Sequence, residues 1–238
     1  MNYVLFVLAV MFGVFVQSLA GFGGTLLSMP ICIMLMGLDI SKPVITFVAW
    51  ITGVVVLVTE YKHINWRELF KMTGVMLLGV LGGLWATGRV QLNFLLIAYA
   101  VVVIAVGVKK LFFPSNQEAP KAVQNTALAI AGIMQGLFVS GGSFLAVYSV
   151  AQLKEKQEFR ATVNAVWAIL NIIMVITYFV EGAVTRQVAI MSGIVILPTI
   201  FAIWLGGVLT RHVKQATFLK FIYIILIISG IVLLITNL

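Results

Sequence analysis

Two short polar interruptions stand in this otherwise oily chain. Residues 16–30 read VQSLAGFGGTLLSMP and residues 134–148 read MQGLFVSGGSFLAVY. Slid by 118 positions, Gln17 falls on Gln135, Leu19 on Leu137, Gly23 on Gly141, Gly24 on Gly142 and Thr25 on Ser143. The chemistry such a stretch offers is anion recognition. An amide or a hydroxyl can donate to a ligand oxygen, and a glycine break exposes the free N–H groups and positive dipole end of a half-helix. Gln17, Gly23, Gly24, Thr25, Gln135, Gly141, Gly142 and Ser143 are therefore the expected substrate contacts. Ser140 adds a hydroxyl at the second tip, where the matched place in the first holds Phe22. Plainer roles exist for each: interhelical hydrogen bonding for the glutamines, N-capping for Thr25 and Ser143, close helix approach or positive φ for the glycines.

Thr46 and Asn164 share the same spacing of 118 and join the expected cavity lining, with Asn171 two turns beyond Asn164. Trp50 and Trp167 are candidate walls. Asp39, Glu60, Glu68 and Glu181 all fall at the ends of apolar segments, so a buried carboxylate relay for protons is not expected. His63 and His212 lie in turns away from the glycine tips, which leaves Ser140 and Ser143 without a base and argues against an enzyme. No catalytic residue, metal cluster or cofactor is expected. Cys32 is a lone thiol inside an apolar run, so no intrachain disulfide can form.

The elements that carry these residues follow from hydropathy. With 62% apolar and 9% charged residues and a mean hydropathy of +1.16, the chain reads as an all-α integral membrane protein. Apolar segments fall at 2–19, 24–38, 43–60, 69–88 and 92–112, then at 123–138, 143–153, 161–180, 187–209 and 217–236. A polar linker, 113–122, separates a first repeat, 1–112, from a second, 123–238. The later segments also match, with Gly82 over Gly206, Phe94 over Phe218 and Tyr99 over Tyr223. Five segments per repeat would insert the second repeat upside down. If residue 1 is outside, the cytoplasmic turns hold 12 of the 15 lysines and arginines, as the positive-inside rule requires. The run ending Ser18-Leu19-Ala20 is preceded by no cation and has an internal counterpart, so it reads as part of the fold and not as a leader. Segments 24–38 and 143–153 are too short to cross about 30 Å of hydrocarbon, so two helical hairpins with glycine tips near the midplane are expected. Eight to ten transmembrane segments result.

The GFGG tip followed by Pro30, the stretch GLFVSGGSFLAVYSVAQLKEKQEFRATVNAVW at 136–167 and the two-halved layout resemble the sulfite exporter TauE/SafE family, also called the toluene sulfonate uptake permease family. The likeness covers nearly the whole chain, and the FRAT at 159–162 makes it specific. It implies transport of small sulfur-containing anions, such as sulfite, sulfonates or sulfoacetate, across the inner membrane. Arg160 is the guanidinium that the motif singles out, and its planar fork suits sulfur oxyanions; a salt-bridge or anchoring role is its alternative. Thr25 and Ser143 depart from the third glycine or proline of many relatives. Export of an anion from a negative-inside cell needs no coupling ion; ion-coupled uptake, a non-transporting subunit and an intramembrane enzyme are the rival readings. The expected partners are a small anion and the lipid bilayer, with a homodimer allowed and nucleic acid excluded.

Overall fold

The computed structural model describes residues 2–86, 93–112, 120–138 and 141–237, all of them helical or in short turns. Among the described residues, ten α-helices run in order: α1 Asn2–Ala20, α2 Gly24–Met36, α3 Leu38–Thr59, α4 Trp66–Ala86, α5 Asn93–Phe112, α6 Lys121–Phe138, α7 Gly142–Gln152, α8 Lys156–Val180, α9 Arg186–His212 and α10 Gln215–Asn237. Among the described residues, α1, α3, α4, α8, α9 and the Gln215–Val232 part of α10 are long and apolar enough to cross a membrane. Helices are what such sequences form in hydrocarbon, because every backbone donor must then find its acceptor within the chain.

The helix bounds sit close to the apolar segments, with two informative extensions. α8 starts at Lys156, a full turn before the apolar run that opens at 161, which carries Phe159 and Arg160 inside the helix and buries both. α3 starts at Leu38 and takes in Lys42 and Pro43, the proline being tolerated within the helix. α2 and α7, at 13 and 11 residues, rise only about 20 and 17 Å, short of a full crossing.

Each half folds back on itself at its glycine tip, α1 on α2 and α6 on α7, but the larger contacts join one half to the other. α1 packs on α9 and α6 on α4; α3 packs on α8 and α5 on α10. Exchanging the halves maps this pattern onto itself. α3 and α8 run antiparallel. Lys42 at the start of α3 has its Nζ 5.9 Å from the Tyr178 ring near the end of α8, while Glu60, just past α3, pairs with Arg160 near the start of α8. α5 and α10 are antiparallel as well, with Gly107 against Ile227 and Gly230 against Ile104.

The α4–α6 contact is a glycine seam. Gly79 and Gly83 face Gly132, Ile133 and Gly136 backbone to backbone, and a Cβ at Gly132 would stand 2.5 Å from the Met76 carbonyl oxygen. Without water to expel between apolar faces, helices in lipid gain mainly from such close approach.

Candidate functional site

The first tip is shaped by backbone sterics. α1 ends at Ala20, and Gly21 and Gly23 take φ of 82° and 84°, left-handed values that side chains resist. The second tip differs, since Gly141 has φ −66° and Gly142 is not among the positive-φ residues. Of the two roles expected of the glycines, close helix approach and positive φ, Gly141 serves the first, because a side chain there would strike the Ala131 carbonyl. Gly24 likewise lets α2 touch α1 at the Gly13 carbonyl.

The two tips meet. A Cβ built on Gly142 would lie 3.2 Å from Phe22 Cβ and 3.7 Å from the Gly23 nitrogen. Between them is a cavity of about 30 Å³, lined by Gln17, Phe22, Gly23, Thr25, Leu26, Ala49, Gln135, Gly142, Trp167 and Asn171. Its walls from α3 and α8, Ala49 with Trp167 and Asn171, come from the middle of that antiparallel pair.

The second tip's glutamine is committed. Gln135 Oε1 accepts the Gly141 N–H at 3.2 Å and its Nε2 donates to Asn171 Oδ1 at 3.0 Å. Gln17 lines the same cavity and makes no side-chain hydrogen bond among the described residues. Trp167 Nε1 donates to the Gly21 carbonyl at 2.8 Å, tying α8 to the first tip. Neither N-cap, Gly23 nor Gly141, supplies a side-chain bond to its helix. The first N–H groups of a helix have no intrahelical acceptor, and with the dipole they favour an anion. The arrangement can therefore supply an amide, a hydroxyl and backbone N–H groups to one small oxyanion.

The structure brings Gln17, Gly23, Thr25, Gln135 and Gly142 together around this cavity. Ser140 lies outside the described residues. Gly24 and Gly141 serve the hairpin crossings instead of the lining. Ser143 is 1% exposed with an unpartnered hydroxyl, and it is not part of the lining. Thr46 donates to the Lys42 carbonyl at 2.8 Å, and Asn164 Nδ2 donates to the Arg160 carbonyl at 2.9 Å, both within their own helices. Arg160 is also away from the cavity. Its guanidinium pairs with Glu60, donates from Nε to the Ser18 carbonyl and from Nη2 to Ser18 Oγ at 3.0 Å. It thereby satisfies a carbonyl at the C-terminal, negative end of α1. Trp50 packs against Phe47 at 5.7 Å between ring centroids, off the lining. Phe22, Leu26 and Ala49 were not singled out from the sequence; the signal for Ala49 was its position 118 residues before Trp167.

Short helices that meet tip to tip among apolar helices occur in many membrane transporters. The family model for sulfite exporter TauE/SafE matches residues 5–233, and the chain belongs to that family. It is also 25% identical over 177 residues to the probable inner membrane transporter protein TsaS of Comamonas testosteroni, across 72% of this chain and 73% of that protein. No solved structure matches the chain. The protein is a membrane transporter of the TauE/SafE family.

Proposed function

We propose that the chain exports small sulfur-containing oxyanions, sulfite being the type, and that the anion binds between the two glycine tips. The observation that carries this reading is the convergence of Gln17, Thr25, Gly23 and Gly142 on one small cavity at the middle of the α3–α8 pair. Gln17 and Thr25 replace part of the anion's hydration, and the open ends of α2 and α7 face its charge with the positive poles of two dipoles. None of the lining residues is a carboxylate, so the site carries no fixed negative charge to repel the anion.

The antiparallel courses of α3 against α8 and α5 against α10 support two inverted repeats, 1–112 and 123–238, with the linker 113–122 cytoplasmic and both termini outside. The family description, and the relative named as an inner membrane transporter, support export across the inner membrane. Each negative charge that leaves a negative-inside cell gains about 2.3 kcal/mol per 100 mV, which drives efflux without a coupling ion.

Thermal stabilisation of the purified chain by sulfite tests the site. Gln17→Ala and Thr25→Ala each remove a donor to a charged ligand, a loss of about 1.5–3 kcal/mol and hence roughly tenfold to a hundredfold in affinity. Ser143→Ala binds like the parent. If folded Gln17→Ala and Thr25→Ala proteins respond to sulfite as the parent does, the anion binds elsewhere.

A further inference from the structure

The tip cavity is symmetric in its glutamines and asymmetric in its bulk. Gln17 and Gln135 are mates at the 118-residue spacing, and both line it. Trp167 lines it as well, yet its mate in the opposite wall is Ala49. Phe22 lines it too, and its mate in the sequence is Ser140. One indole and one phenyl ring thus stand where the paired half carries small side chains.

Both rings are held in place. Trp167 is fixed by its hydrogen bond to the Gly21 carbonyl at 2.8 Å, and Phe22 is 1% exposed. Gly142 lets them close in, because a Cβ there would stand 3.2 Å from Phe22 Cβ and 3.6 Å from Trp167 Cζ2. What remains is about 30 Å³. A close-packed wall anchored by a hydrogen bond yields space only at the cost of that packing.

We infer that Trp167, together with Phe22, sets the size limit of the substrate: the site admits a compact oxyanion and rejects a sulfonate that carries an organic body. The inference rests on the reading of the tip cavity as the anion site. Trp167 is on this account a specificity-determining residue, and its bulk matters more than its N–H group.

The experiment uses the full chain, purified and also reconstituted in liposomes, with sulfite and benzenesulfonate as the two probes. The parent responds to sulfite and far less to benzenesulfonate, in thermal stabilisation and in flux. Trp167→Ala and Phe22→Ala raise the benzenesulfonate-to-sulfite ratio of apparent affinity roughly tenfold or more, the scale on which apolar pockets discriminate by size. Trp167→Phe keeps part of the ring and loses the donor, and gives a ratio between those of the parent and Trp167→Ala. Trp204→Ala, on a side chain 61% exposed on α9, serves as the control and leaves the ratio unchanged. Should Trp167→Ala not fold, Phe22→Ala carries the test. A parent that takes benzenesulfonate as readily as sulfite overturns the size limit while leaving the site reading intact, as do folded alanine variants with an unchanged ratio. A Trp167→Phe ratio equal to that of Trp167→Ala overturns it too, by assigning the effect to the bond with Gly21. If neither probe acts on the parent or any variant, the site reading fails and the size limit falls with it.

Discussion

Glu60→Gln is a small change in shape with a large expected cost. Glu60 is 8% exposed and Arg160 2% exposed, so the ion pair between them is screened little by solvent. The glutamine leaves the Arg160 guanidinium buried without its counter-charge. Arg211, whose Nη2 lies 4.0 Å from the same Glu60 oxygen, then adds repulsion. Removing one member of a buried pair costs about 3–5 kcal/mol. For a chain of this size that is a fall on the order of 10 °C in the unfolding midpoint. Arg160→Met costs less, because the Glu60 carboxylate keeps Arg211 at 4.0 Å while the Ser18 carbonyl loses its donor. The double variant recovers part of the loss, since no unpaired charge remains buried. Thermal unfolding of the parent, both single variants and the double variant in one detergent closes the cycle. Losses under about 1 kcal/mol in both single variants, the size typical of a solvated pair, would refute the reasoning, and so would strict additivity in the double variant.

The remaining expectations concern packing, orientation and driving force. Gly132→Ala and Gly136→Ala insert a methyl group into the α4–α6 seam and lower stability by about 1–3 kcal/mol, whereas Gly193→Ala, which meets open space on α9, is near neutral in the same unfolding assay. In a Cys32→Ser background, a cysteine replacing exposed Lys62 is labelled by an impermeant maleimide from the cytoplasmic side only, and one replacing exposed Glu181 from the outside only; the reverse pattern rejects the proposed orientation. Sulfite efflux from loaded liposomes speeds up when the interior is made negative and persists when a pH gradient is collapsed at clamped voltage. Dependence on the pH gradient would show that a proton is coupled.

Hydropathy made the helices legible but not where they begin. The apolar run of α8 opens at 161, and the five residues before it, which include Lys156, Glu158 and Arg160, look like a solvated turn. They are helical because Phe159 and Arg160 both find buried partners, Phe218 for the ring and Glu60 for the guanidinium. Those partners lie far off in the chain, so the local sequence cannot announce them. The cavity residues that were legible are the ones that break an apolar pattern, such as Gln17, Gly23, Thr25, Gln135 and Gly142. Phe22, Leu26 and Ala49 continue the pattern, and only the meeting of the tips selects them. The left-handed turn at Gly23, against the ordinary backbone at its mate Gly141, shows that matched glycines can be used for different steric reasons.

The partner exchange between the halves has a consequence for assembly. α1 with α9, α3 with α8, α4 with α6 and α5 with α10 all join residues before 113 to residues after 120. Neither half can cover its own largest helix faces. A half-length chain could bury them only by meeting a second chain, in a two-dimensional search through the bilayer that depends on copy number. The covalent connection at 113–122 turns that encounter into an intramolecular one, for which short tethers give effective concentrations of the order of millimolar. Cutting the chain there should therefore make folding dependent on expression level while leaving every helix contact available to the two fragments.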